Sequence, residues 1–294
     1  MTQTPGGSDL ESPLREIVDT VSTTASEIRS GLVGRRDAVD EENPSGERPL
    51  EADVWADDLL ERRLTAIDGV TEYASEERPA VRACGDGTST HGLSVAVDPL
   101  DGSSNLASNN PVGTIFGVYD APLPARGRDL VAAGYVCYGP VTTMVLATES
   151  GVDEYELVDG TARVLREGVR LPEEPTVYGV GGRVPEWPAN VRAVVRDIES
   201  RLTRRYGGAM VADVNQVLTY GGLFAYPGLR SRPDGKLRLQ FEANPIGYVI
   251  ERAGGSTSDG VGSLLEIEPT DLHQRTPVYV GNETLIDDVE AALS

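Results

Sequence analysis

Two hydrophobic rhythms alternate along the chain. Residues 10–33 place apolar side chains at helical spacing, and residues 50–67, LEADVWADDLLERRLTAI, do so most clearly. The DEENPSGERP stretch between them reads as an acidic loop. From residue 92 the pattern shortens to the β-branched runs GLSVAVD, VGTIFGVYD, LVAAGYVCYG and TTMVLAT. Each is bounded by Gly, Pro or Asp, the punctuation of strands in a sheet, and YELVDG adds another. After a Pro-containing stretch at 172–188, helical spacing returns over about 189–206, 211–221 and 244–253. Short strands are expected near 236–241, 264–267 and 277–280, and a helix near 283–292. No internal repeat or low-complexity segment interrupts the pattern. An α/β (α+β) architecture of mixed sheets layered with helices follows, hinged near 172–180.

One polar residue breaks the helical pattern. At 100° per residue, Leu60, Leu64 and Ile67 fall within about 40° of Asp53, so a carboxylate shares the apolar face. An ionised group there is costly unless something pairs with it. The competing reading is that Asp53 sits in the first turn and merely favours the helix dipole. A second break follows a strand, in 95-VAVDPLDGSSN-105. Asp98 and Asp101, three residues apart just past the strand end, can converge on one point. Pro99 stiffens the turn, and Gly102, Ser103 and Ser104 offer backbone N–H groups and hydroxyls to a phosphate. Carboxylates beside a phosphate cradle need a divalent cation between them. Oxygen ligands of this kind suit Mg²⁺ or Mn²⁺. His91 and His273 are the only histidines, which disfavours a histidine-rich zinc site.

Composition narrows the partners. The 294 residues suffice for one large domain or two subdomains sharing a core. Acidic residues number 47 against 26 basic, a formal charge of −21, and such a field repels nucleic acid and anionic membranes. Among the basic residues Lys236 is the sole lysine. Acid-rich, lysine-poor surfaces suit a high-salt cytoplasm. A compact ammonium retained in 233-PDGKLRLQFEANP-245 suits a shaped pocket that a planar guanidinium would not fit. Of the two cysteines, Cys137 lies in an apolar run and Cys84 in a loop, with no disulfide framework. No long apolar run spans a membrane, and MTQTPGGSDLESP lacks a signal-peptide pattern. A soluble, cytoplasmic protein is expected.

The string DPLDGSSN resembles the signature of class I fructose-1,6-bisphosphatases, within the lithium-sensitive, magnesium-dependent sugar phosphatase superfamily. GERPLEADVWADDLL, SEE at 75–77, VGTIFGVY, LVAAGYVCYG, RYGGAMVADVNQVLTYGGLFAYP and KLRLQFEANPIGYVIERAGG resemble further family segments in order, over most of residues 45–255. The resemblance implies a layered α-β-α-β-α sandwich, with a metal- and phosphate-binding subdomain at 1–175 and a sugar-binding one at 176–294. It implies that Glu76, Asp98, Asp101 and Glu242, with the Leu100 carbonyl, bind two or more Mg²⁺ ions. Glu47 stands where the family has an aspartate at a further metal position. Asp53 and Glu77 match the pair that positions and deprotonates the attacking water. Asp101, Gly102, Ser103 and Ser104 would hold the 1-phosphate, with Arg238 near it. Tyr206, Tyr226 and Lys236 would bind the sugar and its 6-phosphate, and backbone around Gly208–Met210 the sugar hydroxyls. Arg205 would reach a neighbouring subunit's site, in a homo-oligomer, by family expectation a tetramer.

The match fails in places. An asparagine and a tyrosine that contact the 6-phosphate in the family align with Gly181 and Val184, with Arg183 as the nearby compensating cation. The lysine–tyrosine pair of the family's AMP site aligns with Gly92-Leu93, although Arg128 stands where that site has an arginine. Hydrolysis of the 1-phosphate of fructose 1,6-bisphosphate, in gluconeogenesis, is the expected activity. Sedoheptulose bisphosphatase or a broader sugar or inositol phosphatase is the alternative. An acidic cation buffer or scaffold without catalysis is the reading from a different class.

Overall fold

The computed structural model describes residues 5, 10–40, 42–44, 46, 48–85 and 92–294. Helices α1 (Leu14–Gly31) and α2 (Glu51–Leu64) precede a run of strands: β1 (Val70–Ser75), β2 (Arg82–Ala83), β3 (Leu93–Asp101), β4 (Val112–Tyr119), β5 (Leu130–Tyr138), β6 (Thr142–Thr148), β7 (Gly151–Val158) and β8 (Thr161–Arg166). These form one sheet in the order β2-β1-β3-β4-β5-β6-β7-β8, parallel only between β1 and β3. The remaining elements are β9 (Val177–Val180), α3 (Ala189–Arg201), β10 (Thr203–Arg204), α4 (Met210–Tyr220), β11 (Gly222–Tyr226), β12 (Leu237–Arg238), α5 (Asn244–Arg252), β13 (Ser256–Ser258), β14 (Arg275–Thr276), β15 (Val278–Gly281) and α6 (Glu283–Leu293). A second sheet runs β10-β9-β11-β15-β13, and β12 pairs with β14 in a short ribbon.

Strand alternation sorts the core into layers. Val95 and Val97 of β3, with Ala132 and Val136 of β5, face α1 and α2, where Ile17, Val21, Leu60 and Leu64 are buried. Their neighbours Ala96, Ala133 and Tyr135 face the other way, onto Val211, Val214, Ile246 and Ile250 of α4 and α5. Phe224 and Val280 close that second core from the five-stranded sheet. The far face of that sheet presents Tyr178, Leu223 and Tyr279 to Val194, Ile198, Leu285 and Ile286 of α3 and α6. The result is the expected α-β-α-β-α sandwich. Strands buried on both faces carry continuous apolar runs, which is why GYVCYG and TIFGVY stand out in the sequence.

Several expectations are corrected. The first sheet gains β1, β2 and β8, and the second gains β9, β11 and β13, all too short or too mixed in polarity to carry a periodic signal. The helix expected to 206 stops at Arg201, and Thr203–Arg204 pairs with β9 instead. Residues 264–267 are not a strand. Leu264–Glu266 form a 3₁₀ turn that Ser263 caps by accepting from the Leu265 N–H. The strand expected at 236–241 lasts two residues and becomes a π turn, Leu239–Ala243, running into α5.

Candidate active site

Three segments bring carboxylates to one place. Glu76 follows β1, and its N–H donates to Val97 O at 3.0 Å, so it lies beside Asp98 of the neighbouring parallel strand. Strand β3 does not end at Asp98 as expected but continues to Asp101 through a bulge. Asp98 pairs with Ile115 and Asp101 with Gly113, so Pro99 and Leu100 stand opposite the single Thr114. Positions i and i+3 of a regular strand face opposite ways, and the extra residue restores both aspartates to one side. Glu242 arrives from the π turn, where the Arg238 N–H donates to its Oε2 at 2.5 Å. Among the described residues, Glu76, Asp98 and Glu242 form one group whose ligand oxygens lie within 4.8 Å of one another.

Asp101 is turned differently. Its Oδ2 accepts from the Val211 N–H at 2.8 Å, and the Met210 amide also lowers its proton affinity, so α4 aims its N-terminus at this carboxylate. Gly102 adopts φ +72°, and a Cβ there would stand 2.4 Å from the Ala209 Cβ. Only glycine therefore lets the DPLDGSSN turn approach α4 this closely. Beyond it, Ser103–Ser108 form a short 3₁₀ turn.

These groups line one cavity of about 210 Å³. Asp53, Glu76, Glu77, Asp98, Leu100, Asp101, Gly102, Ser103, Ser104, Tyr206, Met210, Tyr226, Lys236, Arg238 and Glu242 all border it. Both readings of Asp53 hold in part. It sits in the first turn of α2, where its Oδ2 accepts from the Leu50 N–H at 2.6 Å, yet it is only 3% exposed and faces the cavity. Lys236 places its Nζ 5.9 Å from the centre of the Tyr226 ring. Arg205 does not border this chain's cavity; its guanidinium stacks on the exposed Tyr220, 4.8 Å from the ring centre. Glu47 lies outside the described residues. Asn43, Arg48 and Asp213 also border the cavity and escaped sequence reasoning. Asp213 accepts from the N–H groups of Gly207 at 2.6 Å and Gly208 at 3.2 Å, and Asn43 donates to Glu77 at 3.3 Å. An aspartate in the first turn of a helix after a glycine pair was the available signal for Asp213.

The departures from the family pattern acquire a structural cause. A side chain on Gly181 would meet the Tyr226 ring at 2.4 Å, so the ring occupies the space an asparagine would fill. Val184 is exposed, and Arg183, the expected compensating cation, is exposed as well and does not border the cavity. Arg128 is engaged elsewhere, 2.8 Å from Glu251 and 2.6 Å from Glu266.

Burial and mutual repulsion dominate the electrostatics. Desolvation pushes Glu242 up to about 8, Asp101 to about 7 and Asp53 to about 6. Desolvation, then the charges of Glu76 and Asp53, push Glu77 to about 8. Asp98 is raised well above the usual carboxylate range, first by desolvation and then by Glu76. Against these acids stands Arg238, 2% exposed, with its Nη2 3.2 Å from Glu76 Oε1. Arg48 and Lys236 also border the cavity, but three cations do not balance Asp53, Glu76, Glu77, Asp98, Asp101, Asp213 and Glu242. Clustered oxygen donors with surplus negative charge fit a hard divalent cation.

The layers and the acidic cavity are those of the sugar phosphatase fold. The crystal structure of fructose-1,6-bisphosphatase from Leishmania major in holo form superposes with a TM-score of 0.89 at 30% identity, over 95% of this chain and 94% of that one. The apo form gives 0.85 at 28% identity, over 97% and 94%. Models of the fructose-1,6-bisphosphatase N-terminal and C-terminal domains match residues 3–163 and 171–294. The class 1 fructose-1,6-bisphosphatase of Natronomonas pharaonis is 57% identical over 283 residues, 95% of this chain and 98% of its own. That of Halobacterium salinarum is 56% identical over 278 residues, covering 94% and 96%. The chain belongs to the class 1 fructose-1,6-bisphosphatase family. Among the described residues no helix is long and apolar enough to cross a membrane.

Proposed function

We propose that the protein hydrolyses the 1-phosphate of fructose 1,6-bisphosphate, releasing fructose 6-phosphate and inorganic phosphate, with Mg²⁺ as the natural cation and Mn²⁺ as a substitute. The observation that carries this reading is the convergence of Glu76, Asp98 and Glu242 within 4.8 Å in a buried, under-neutralised pocket. Glu76, Asp98, Asp101 and Glu242, with the Leu100 carbonyl, would hold two or more ions. Bound there, the cations supply positive charge against the phosphate oxygens and the departing alkoxide.

The chain's own groups do the rest. Glu77 and Asp53 border the same cavity, and their raised proton affinity suits groups that orient a water and accept its proton. The Leu50 N–H fixes the Asp53 carboxylate, and Asn43 steadies Glu77. Gly102, Ser103 and Ser104 cradle the 1-phosphate, and Arg238 adds a buried cation beside it. Tyr206, 41% exposed, Tyr226 and Lys236 border the same cavity and take the sugar and its 6-phosphate. Met210 borders the sugar pocket while its amide serves Asp101. Water attacks phosphorus directly, and no phosphoenzyme forms.

An exposed Arg205 outside its own cavity supports a role in a neighbouring copy's site, hence a homo-oligomer, by family a tetramer. The −21 charge supports a high-salt cytoplasm. Two sheets, one within residues 70–166 and one within 177–281, support a metal-binding subdomain at 1–175 and a sugar-binding one at 176–294. The test is phosphate release in molar KCl across a panel of fructose 1,6-bisphosphate, sedoheptulose bisphosphate and inositol monophosphate, with and without Mg²⁺. Fastest release from the fructose bisphosphate, lost without cation and in Asp101→Asn, is expected. Equal rates across the panel, or full activity in Asp101→Asn, would reject the reading.

A further inference from the structure

The cavity's acids come from separate segments, and their spacing depends on what ties those segments together. Arg78, two residues after Glu76, makes one tie. Its Nε lies 2.6 Å from Asp57 Oδ2, and its Nη2 lies 2.9 Å from Asp58 Oδ1 and 3.1 Å from Glu61 Oε2, all on α2. Asp57 is 3% exposed and also accepts from the Tyr73 hydroxyl at 2.9 Å. The turn that bears Glu76 and Glu77 is thereby fixed to the helix that bears Asp53.

A second tie runs the other way. The carbonyl of Arg78 lies 2.8 Å from His273 Nε2. A carbonyl oxygen only accepts, so Nε2 carries a proton, and in the neutral ring Nδ1 is then bare. That Nδ1 is buried without a hydrogen-bond partner among the described residues. The His273 ring packs on Phe241, centroids 5.3 Å apart and tilted by 48°, and Phe241 precedes Glu242. The next residue, Gln274, accepts from the Leu239 N–H at 2.8 Å, so this segment is bound to the first residue of the π turn. His273, the only histidine among the described residues, does not border the acidic cavity, yet it spans two of its walls.

We propose that His273 is a positioning residue which, through the Arg78 carbonyl, locks the Glu76 turn to the Glu242 turn and sets the carboxylate spacing offered to a divalent cation. The proposal rests on the metal-site reading above. A residue that orients ligands without touching the ion governs affinity for it by about tenfold or more, with little direct effect on substrate.

The experiment compares His273→Phe, which keeps a ring against Phe241 but loses the N–H, with His273→Gln, whose amide restores a donor. Binding of Mn²⁺ to metal-stripped protein in molar KCl is read by the electron paramagnetic resonance of free Mn²⁺. His273→Phe is expected to weaken Mn²⁺ binding about tenfold. The bisphosphate KM at saturating cation should be unchanged, and His273→Gln should bind Mn²⁺ like the parent. Parent-like Mn²⁺ affinity in His273→Phe, or equal weakening in His273→Gln, overturns the proposal alone. A parent protein that binds no Mn²⁺ overturns the metal-site reading and the proposal with it. If His273→Phe does not fold, the imidazole ¹⁵N spectrum of the parent decides, because the chain has two histidines. An Nε2–H tautomer whose resonances shift on Mg²⁺ titration supports the proposal; an Nδ1–H tautomer, or no shift, overturns it.

Discussion

Replacing Glu242 by Gln should stabilise the metal-free protein at neutral pH while destroying its use of cations. Glu242 is 5% exposed, and burial, then the charge of Glu76, raises its carboxyl from 4.5 to about 8. The folded state therefore holds this proton more tightly than the unfolded chain does. Its contribution is full below about 4.5 and is lost as pH rises towards about 8. At about 1.4 kcal/mol per tenfold change in proton affinity, the loss by pH 7 is on the order of 3 kcal/mol, an upper figure because the neighbouring acids titrate with it. Gln mimics the protonated acid and keeps an oxygen to accept the Arg238 N–H that Glu242 now takes at 2.5 Å. Urea unfolding in molar KCl with chelator, from pH 5 to pH 8, gives the difference directly, since the exposed acids are common to both proteins. The variant should match the parent near pH 5 and exceed it progressively above. Added Mg²⁺ should stabilise the parent and scarcely affect the variant. Parallel stability profiles across this range would refute the claim that Glu242 is a buried, repelled carboxylate.

Gly102→Ala should cost about 3 kcal/mol, from the left-handed backbone and the collision with Ala209, read as a lower thermal midpoint; an unchanged midpoint would show that the turn can move. Lys236→Met should raise the bisphosphate KM about tenfold or more with kcat nearly kept, because a charge-assisted contact to the non-reacting end is lost. Gly181→Ala should also raise KM, since its Cβ must displace the Tyr226 ring; initial-rate kinetics separate the two constants. AMP should inhibit weakly or not at all, because Arg128 is held by Glu251 and Glu266; half-inhibition at low micromolar AMP would contradict this.

Much of the site could be read along the chain because chemistry concentrates in short strings. DPLDGSSN, SEE and KLRLQFEANP each name their residues, and all three come to border one cavity. Residues whose role is to orient others left fainter traces. Asn43 acts through a hydrogen bond to Glu77, remote in sequence, and Asp213 by accepting from the backbone N–H groups of Gly207 and Gly208. Arg78 looks like one more arginine until Asp57 is seen beside it. Among the elements, long amphipathic helices and strands buried on both faces were legible. Of the five-stranded sheet only the strand near 277–280 was, because four of its strands are four residues or fewer, and glycines and prolines beside them break any period.

By itself the amino-acid sequence determined the supply of chemistry: acids in excess, a lone lysine, a Gly-Ser-Ser turn behind two aspartates, and helices with one apolar face. These follow from residue type and near-neighbour spacing, which the chain carries locally. Only tertiary structure decided which acids meet. Asp98 and Asp101 share a side because β4 pairs across a bulge, and Glu76 joins them because β1 lies parallel to β3. Glu242 completes the group from more than a hundred residues away, carried there by a π turn. Pairing register and packing are properties of the whole chain, since each carboxylate's environment is built by segments remote from it.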